Sequence, residues 1–202
     1  EGYDFEYYTI ENDFLPIFDK KLENDEYIYI VNYYGQIDNE KVKMLKKAYN
    51  NIIFDNVQAF FQMPVEGVDT IYSCRKFFGV PDGGYVSTDA VINEILETDI
   101  SKDRMKHLLG RFEGNSASDY YDDFKNNEYS FRKINLSLMS KLTHNIMGAI
   151  DYNKSRKKRE ENFSFFYSML GEFNKLSVKA PVGPYVYPFY CEQGILIKKR
   201  LA

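Results

Sequence analysis

The stretch Tyr72-Ser73-Cys74-Arg75-Lys76-Phe77-Phe78-Gly79-Val80 decides how this chain is read. The short apolar run Thr70-Ile71-Tyr72-Ser73 reads as a strand, and it leads through a lysine into an aromatic–glycine turn. A lysine beside a buried strand is costly unless it is paired, neutral or covalently used. Pro81-Asp82-Gly83-Gly84 then signals a turn and Tyr85-Val86-Ser87-Thr88 a return strand, so Lys76 sits near a hairpin-like reversal. Upstream, Asn51-Ile52-Ile53-Phe54-Asp55 is an apolar run that ends in an acid 21 residues before Lys76. Further back, Glu26-Tyr27-Ile28-Tyr29-Ile30-Val31-Asn32 reads as a buried strand closed by Tyr33-Tyr34-Gly35. Between these two strands Asp38 can cap a helix whose apolar face is Val42, Leu45 and Tyr49. Strand, helix and strand with a short crossover make a βαβ unit with parallel strands. The fold class that follows is α/β with a mainly parallel sheet.

The second half reads as helices. Ser116 and Asp119 fit a capping box that opens a helix through about Phe124. Leu138, Leu142, Ile146 and Ile150 make one apolar stripe, and Phe163, Phe166, Leu170 and Phe173 another. The basic run Lys154-Ser155-Arg156-Lys157-Lys158-Arg159 between them reads as a solvated helix face. Pro181, Pro184 and Pro188 break the helix, and Tyr185-Val186-Tyr187 and Gly194-Ile195-Leu196-Ile197 suggest short strands. The organisation expected is a large domain over residues 1–150, then a linker helix and the beginning of a small C-terminal domain over residues 151–202.

Composition narrows the function classes. With 202 residues and 44% apolar content the chain can build a real core. A net charge of −4 points away from nucleic acid. No apolar run approaches the ~18 residues a membrane span needs. The opening Glu1-Gly2-Tyr3-Asp4 is unlike a signal peptide. Cys74 and Cys191 form no CxxC or Cys/His cluster, as expected of free thiols in a reducing cytoplasm. Only His107 and His144 are available for histidine chemistry, which leaves little for a metal centre or a Ser-His-Asp triad.

An acid at the end of one buried strand and a lysine at the end of the next is what a pyridoxal 5'-phosphate (PLP) site requires. The lysine holds the cofactor as a Schiff base, and the acid pairs with the pyridinium nitrogen. Each residue also has a plain structural reading. Lys76 could extend to water from a strand end, Asp55 could cap a helix at a βα junction, Gln58 could be its capping-box partner, and Ser73 could be an ordinary strand-end hydroxyl.

Ile53-Phe54-Asp55-Asn56-Val57-Gln58-Ala59-Phe60 resembles the Asp-x-x-Gln segment of fold-type I PLP enzymes, specifically the DegT/DnrJ/EryC1/StrS sugar aminotransferase family. Ser73-Cys74-Arg75-Lys76 followed by Gly83-Gly84-Tyr85-Val86 resembles that family's Schiff-base lysine and the double-glycine strand after it. Asn32-Tyr33-Tyr34-Gly35 sits where the family has a strand ending in a polar residue and a glycine, with Asn32 in place of a common histidine. Arg156 to Asn162 and Pro184-Tyr185-Val186-Tyr187-Pro188 resemble its linker helix and the start of its small domain.

The resemblance implies an aminotransferase that moves an amino group, from glutamate, to a nucleotide-linked keto-sugar. Lys76 would be the catalytic residue, and Asp55, Gln58, Ser73 and Lys76 the cofactor-binding ones. It also implies a homodimer, with Phe60, Phe61, Phe77 and Phe78 flanking the site as interface anchors. The alternatives are a PLP-dependent sugar dehydratase-like member, against which Lys76 argues, and a truncated or degenerate non-catalytic domain of the same fold. Only 54 residues precede Asp55, and they contain no recognisable phosphate turn. This chain is therefore expected to be a fragment that binds PLP weakly on its own.

Overall fold

Alternation along the first long strand sets the two faces of the sheet. In the computed structural model, which describes residues 2–114 and 116–201, two short strands, β1 (Thr9–Ile10) and β2 (Pro16–Ile17), pair antiparallel near the N-terminus. The main sheet follows in the order β3 (Ile28–Val31), β4 (Ile52–Asp55), β5 (Asp69–Ser73) and β6 (Gly84–Ser87). β3, β4 and β5 are parallel, and β6 returns antiparallel along β5. Ile28 and Ile30 are 4% and 1% exposed, whereas Tyr29 between them is 45% exposed. β3, expected as a buried strand, is buried on one face: the outward tyrosine alternates with the inward isoleucines.

Helix α1 (Asn39–Tyr49) makes the crossover from β3 to β4. Its first turn is fixed by Asp38, whose Oδ1 accepts the Lys41 N–H at 3.0 Å. Its buried face, Val42 and Leu45, packs with Phe14, Ile28, Ile30, Ile37, Ile52, Phe54 and Val68 to form the main core. No helix joins β4 to β5, where residues 56–68 run as turns and irregular chain. A second, smaller core gathers Cys74, Val80 and Met147.

The helical half contains α2 (Lys106–Phe112), α3 (Tyr121–Ser130), α4 (Lys141–Gly148), α5 (Tyr152–Leu170) and α6 (Gly194–Leu201). Ser116 caps a 3-10 turn over Ala117–Tyr120, and the chain then continues into α3 well beyond Phe124. Asp119 makes no side-chain bond back to Ser116 among the described residues, so the reciprocal half of the expected capping box is missing. Only Leu142 and Ile146 of the first apolar stripe lie in a helix. Ser140 caps α4 by accepting the Thr143 N–H at 3.1 Å, which places Leu138 before the helix in a bridge with Thr98.

Of the second stripe Phe163 is buried, but Phe166 and Phe173 are exposed. The C-terminal strands expected at 185–187 and 194–197 do not form. Residues 194–201 are helical because leucine, lysine and arginine favour helix, with Lys198, Lys199 and Arg200 well placed at the negative end of its dipole. No helix among the described residues is long and apolar enough to cross a membrane.

The glycine pair at 83–84 is required by geometry. Gly83 has φ +96°, and a Cβ there would meet Thr143 Cγ2 at 2.9 Å. A Cβ on Gly84 would lie 2.6 Å from the Tyr72 carbonyl oxygen across the β5–β6 pair. That oxygen is backbone and cannot swing aside, so Gly84→Ala is expected to cost about 2 kcal/mol by overpacking. Urea unfolding followed by circular dichroism checks this, and an unchanged midpoint would contradict it.

Candidate functional site

The carboxyl ends of parallel strands are where open α/β sheets present ligand-binding groups. Asp55 ends β4 there and is buried. Its Oδ2 accepts the Tyr29 hydroxyl at 2.7 Å, and its Oδ1 accepts the Val57 N–H at 2.9 Å. The second bond closes a tight local turn, not a helix N-cap, since no helix follows. Burial, and then the hydrogen bond to Asp55, push the Tyr29 phenol well above its usual range. The Tyr8 hydroxyl lies nearby, accepts the Val31 N–H at 3.3 Å, and is also pushed up by burial.

Ser73 ends β5, the strand next to β4. Asp55 is paired with Ile71, so Ser73, two residues on, projects from the same sheet face. Its hydroxyl makes no hydrogen bond among the described residues. Lys76 lies three residues further, in the turn that joins β5 to β6. That loop is closed by the Cys74 N–H donating to the Gly83 carbonyl at 3.1 Å, and it is tightened by the Phe77 and Phe78 N–H groups donating to the Cys74 carbonyl. Lys76 is exposed, with no carboxylate in ion-pair range among the described residues. Arg75 beside it is held away, paired with Glu128 and lying 4.3 Å over the Phe131 ring.

Gln58 makes no hydrogen bond to Asp55 among the described residues. Its Oε1 accepts the Tyr34 N–H at 3.1 Å, steadying a residue held at φ 58°. Asn32 is fully buried at the end of β3 and faces inward. Its Oδ1 accepts the Ile37 N–H at 2.8 Å, and its Nδ2 reaches the Ile37 carbonyl, Asn56 Oδ1 and Gln62 Oε1. The polar residues that follow β3 and β4 therefore brace the loops behind the site.

Other contacts fix the turn that carries Lys76. Arg159, at the end of the basic run, is half-buried. It donates to the Phe77 carbonyl at 2.8 Å and to those of Pro184 and Tyr185, and it lies 4.7 Å over the Phe77 ring. Lys154, Arg156, Lys157 and Lys158 are exposed, in keeping with a solvated face. Asp82 is buried and accepts from the Ser140 N–H, the Ser140 hydroxyl and the Thr143 hydroxyl at the start of α4. Burial, with the charge of Asp82, pushes the Cys74 thiol up to about 12, so it is an inert core group.

On the face shared by Asp55 and Ser73, Val86 is 62% exposed, whereas Asp55 itself is 8% exposed. A cavity of about 920 Å³ lies elsewhere, lined by Phe166, Leu170, Tyr187, Phe189, Ile197 and Leu201 among others. Sequence reasoning missed Tyr29 as a partner of Asp55. The signal was the Tyr27-Ile28-Tyr29-Ile30 alternation, which places every second residue on the open face. No protein-family model, curated protein or solved structure matches this chain.

Proposed function

We propose that this chain carries the lysine and acid of a PLP-dependent aminotransferase, with Lys76 as the cofactor-bearing amine. One observation supports this reading above the rest: Asp55 and Ser73 share a sheet face at the carboxyl ends of adjacent parallel strands, and Lys76 sits in the turn beyond. The donor set suits the ring nitrogen and the aldehyde, while no helix follows β4 to offer its N-terminus to the phosphate. A carboxylate has about four acceptor positions, and Asp55 uses two of them, on Tyr29 and Val57. Positions remain for a ring N–H. Lys76 offers an accessible amine, and Ser73 a hydroxyl with no partner among the described residues. Gln58 has its oxygen committed to Tyr34, so only its Nε2 is available.

When bound, PLP supplies the electron sink that amino transfer needs. Asp55 would pair with the ring nitrogen, and Lys76 would hold the cofactor through its amine and serve as the base. The resemblance supplies the rest of the proposal: glutamate as amino donor, a nucleotide-linked keto-sugar as acceptor, a cytoplasmic setting and a homodimer. Of the four phenylalanines expected as interface anchors, Phe77 is buried, and Phe60, Phe61 and Phe78 are partly buried and pack on it within the chain.

A non-catalytic domain of the same architecture is the second reading. It is favoured by the two hydrogen bonds that Asp55 already makes within the chain. Titration with PLP up to millimolar concentration, followed by visible absorbance, separates the two. The wild-type chain should bind, and Asp55→Ala should bind about tenfold or more weakly through loss of a charge-assisted hydrogen bond. Equal binding by both would overturn the aminotransferase reading.

A further inference from the structure

The large cavity of this chain lies between the end of α5, the 3-10 turn Gly171–Phe173, the irregular chain over 186–193 and α6. Local bonds hold that irregular chain in place. Asn174 Oδ1 accepts the Tyr190 N–H at 3.0 Å, and its Nδ2 donates to the Pro188 carbonyl at 2.9 Å. The Lys175 N–H donates to the Tyr190 carbonyl at 2.9 Å. The Phe166 and Tyr187 rings stack with their centroids 6.2 Å apart. A volume of about 920 Å³ falls within the ~300–1,000 Å³ of small-molecule sites, which are lined mainly by apolar and aromatic side chains. These walls are wet in the free chain: Phe173 is 68% exposed and Leu201 83%. Contiguous apolar surface left in water on this scale marks a place where something binds.

The charges beside the groove are mostly cationic. Lys175 lines it and is engaged by Glu192. A second depression of about 390 Å³ shares Phe189, Ile197 and Leu201 with the first and adds Lys198. Lys198 has no carboxylate in ion-pair range among the described residues, and Lys199 and Arg200 follow it in the last turn of α6. This cationic end belongs to a chain whose net charge is −4. We propose that the groove binds a single-chain anionic amphiphile, a long-chain carboxylate, with its alkyl chain against Phe166, Phe173, Ile197 and Leu201 and its head group on Lys198. An alkyl chain brings no polar group that these walls would leave unpaired. A cationic head would be repelled by Lys198, whereas a carboxylate is attracted. The residues that line the groove are fewer than the ~20–30 that a stable protein partner covers on each side, so the groove matches one small molecule better than a second chain. The inference shares no residue with the proposed aminotransferase site and stands independently of it.

The test is calorimetric titration of the full chain with dodecanoate and with dodecyltrimethylammonium, a chain of the same length and opposite charge, both below their micelle concentrations. One dodecanoate per chain is expected, with a dissociation constant of about 100 μM or tighter. The cationic ligand should bind about fivefold more weakly, as for an exposed ion pair. Lys198→Glu should reverse that order. Phe173→Asp and Leu201→Asp change exposed residues and should keep the circular dichroism of wild type, yet each should weaken dodecanoate about tenfold or more by placing an unpaired charge against the chain. Absence of dodecanoate binding, uptake of many molecules per chain, equal affinity for the two ligands, or an unchanged preference in Lys198→Glu would each overturn the inference. So would sedimentation that shows a wild-type dimer and a Leu201→Asp monomer, since a second copy would then fill the groove.

Discussion

Replacement of Lys76 by alanine is expected to abolish the visible absorbance that PLP acquires on the wild-type chain. The loss should be at least about 100-fold in the fraction of cofactor held, because the attachment point itself is removed and only noncovalent contacts remain. Surface lysines react with aldehydes in general, so the prediction depends on what sets Lys76 apart. Lys20, Lys43, Lys106 and Lys175 are engaged by Glu6, Glu40, Asp123 and Glu192. Lys76 has no such partner among the described residues, and neither do Lys157 and Lys198; what sets Lys76 apart is that it stands in a turn held by Arg159 and by the Cys74–Gly83 backbone bond. Absorbance spectra of wild type and Lys76→Ala at equal PLP concentration check it. Identical spectra would show that other amines account for the signal.

Asn32→Leu is expected to be the most destabilising single change among the polar residues of the sheet's carboxyl edge. Leucine matches asparagine roughly in size but removes every hydrogen bond that the side chain makes. The Ile37 N–H, fully buried, would lose its acceptor at 2.8 Å, and Asn56 and Gln62 would lose their common donor. Each buried group left unsatisfied costs about 1–3 kcal/mol, and one N–H and one or two acceptors are affected, so a loss of about 3 kcal/mol is expected. Urea unfolding monitored by circular dichroism gives the number. A loss below about 0.5 kcal/mol, the size of an ordinary surface substitution, would mean that water or a shifted side chain replaces Asn32.

The sheet was legible because its signals are local. Asp38 before a three- and four-residue apolar spacing marks α1, short β-branched and aromatic runs mark β3, β4 and β5, and the glycine pair marks the return into β6. What the sequence did not show depends on contacts between distant residues. Tyr29 and Asp55 are 26 positions apart, and only the register of β3 against β4 brings them together. Gln58 is in the expected place in the chain, but its oxygen is taken by Tyr34, whose left-handed backbone could not be foreseen in a Tyr-Tyr-Gly turn. Arg159 read as part of a solvated basic run, yet carbonyls contributed from two separate segments draw it inward. The C-terminal segment is helix and not strand because the leucine, lysine and arginine around its two isoleucines favour helix.

The most direct test of the central claim is to locate where PLP becomes attached. The wild-type chain is incubated with PLP, reduced with borohydride, digested, and its peptides are mapped by mass spectrometry. The account predicts that at limiting PLP the cofactor mass is concentrated on the peptide containing Lys76, and that Asp55→Ala removes this preference. A cofactor mass spread evenly over the exposed lysines, with Lys76 labelled no more than Lys157 or Lys198, would contradict it.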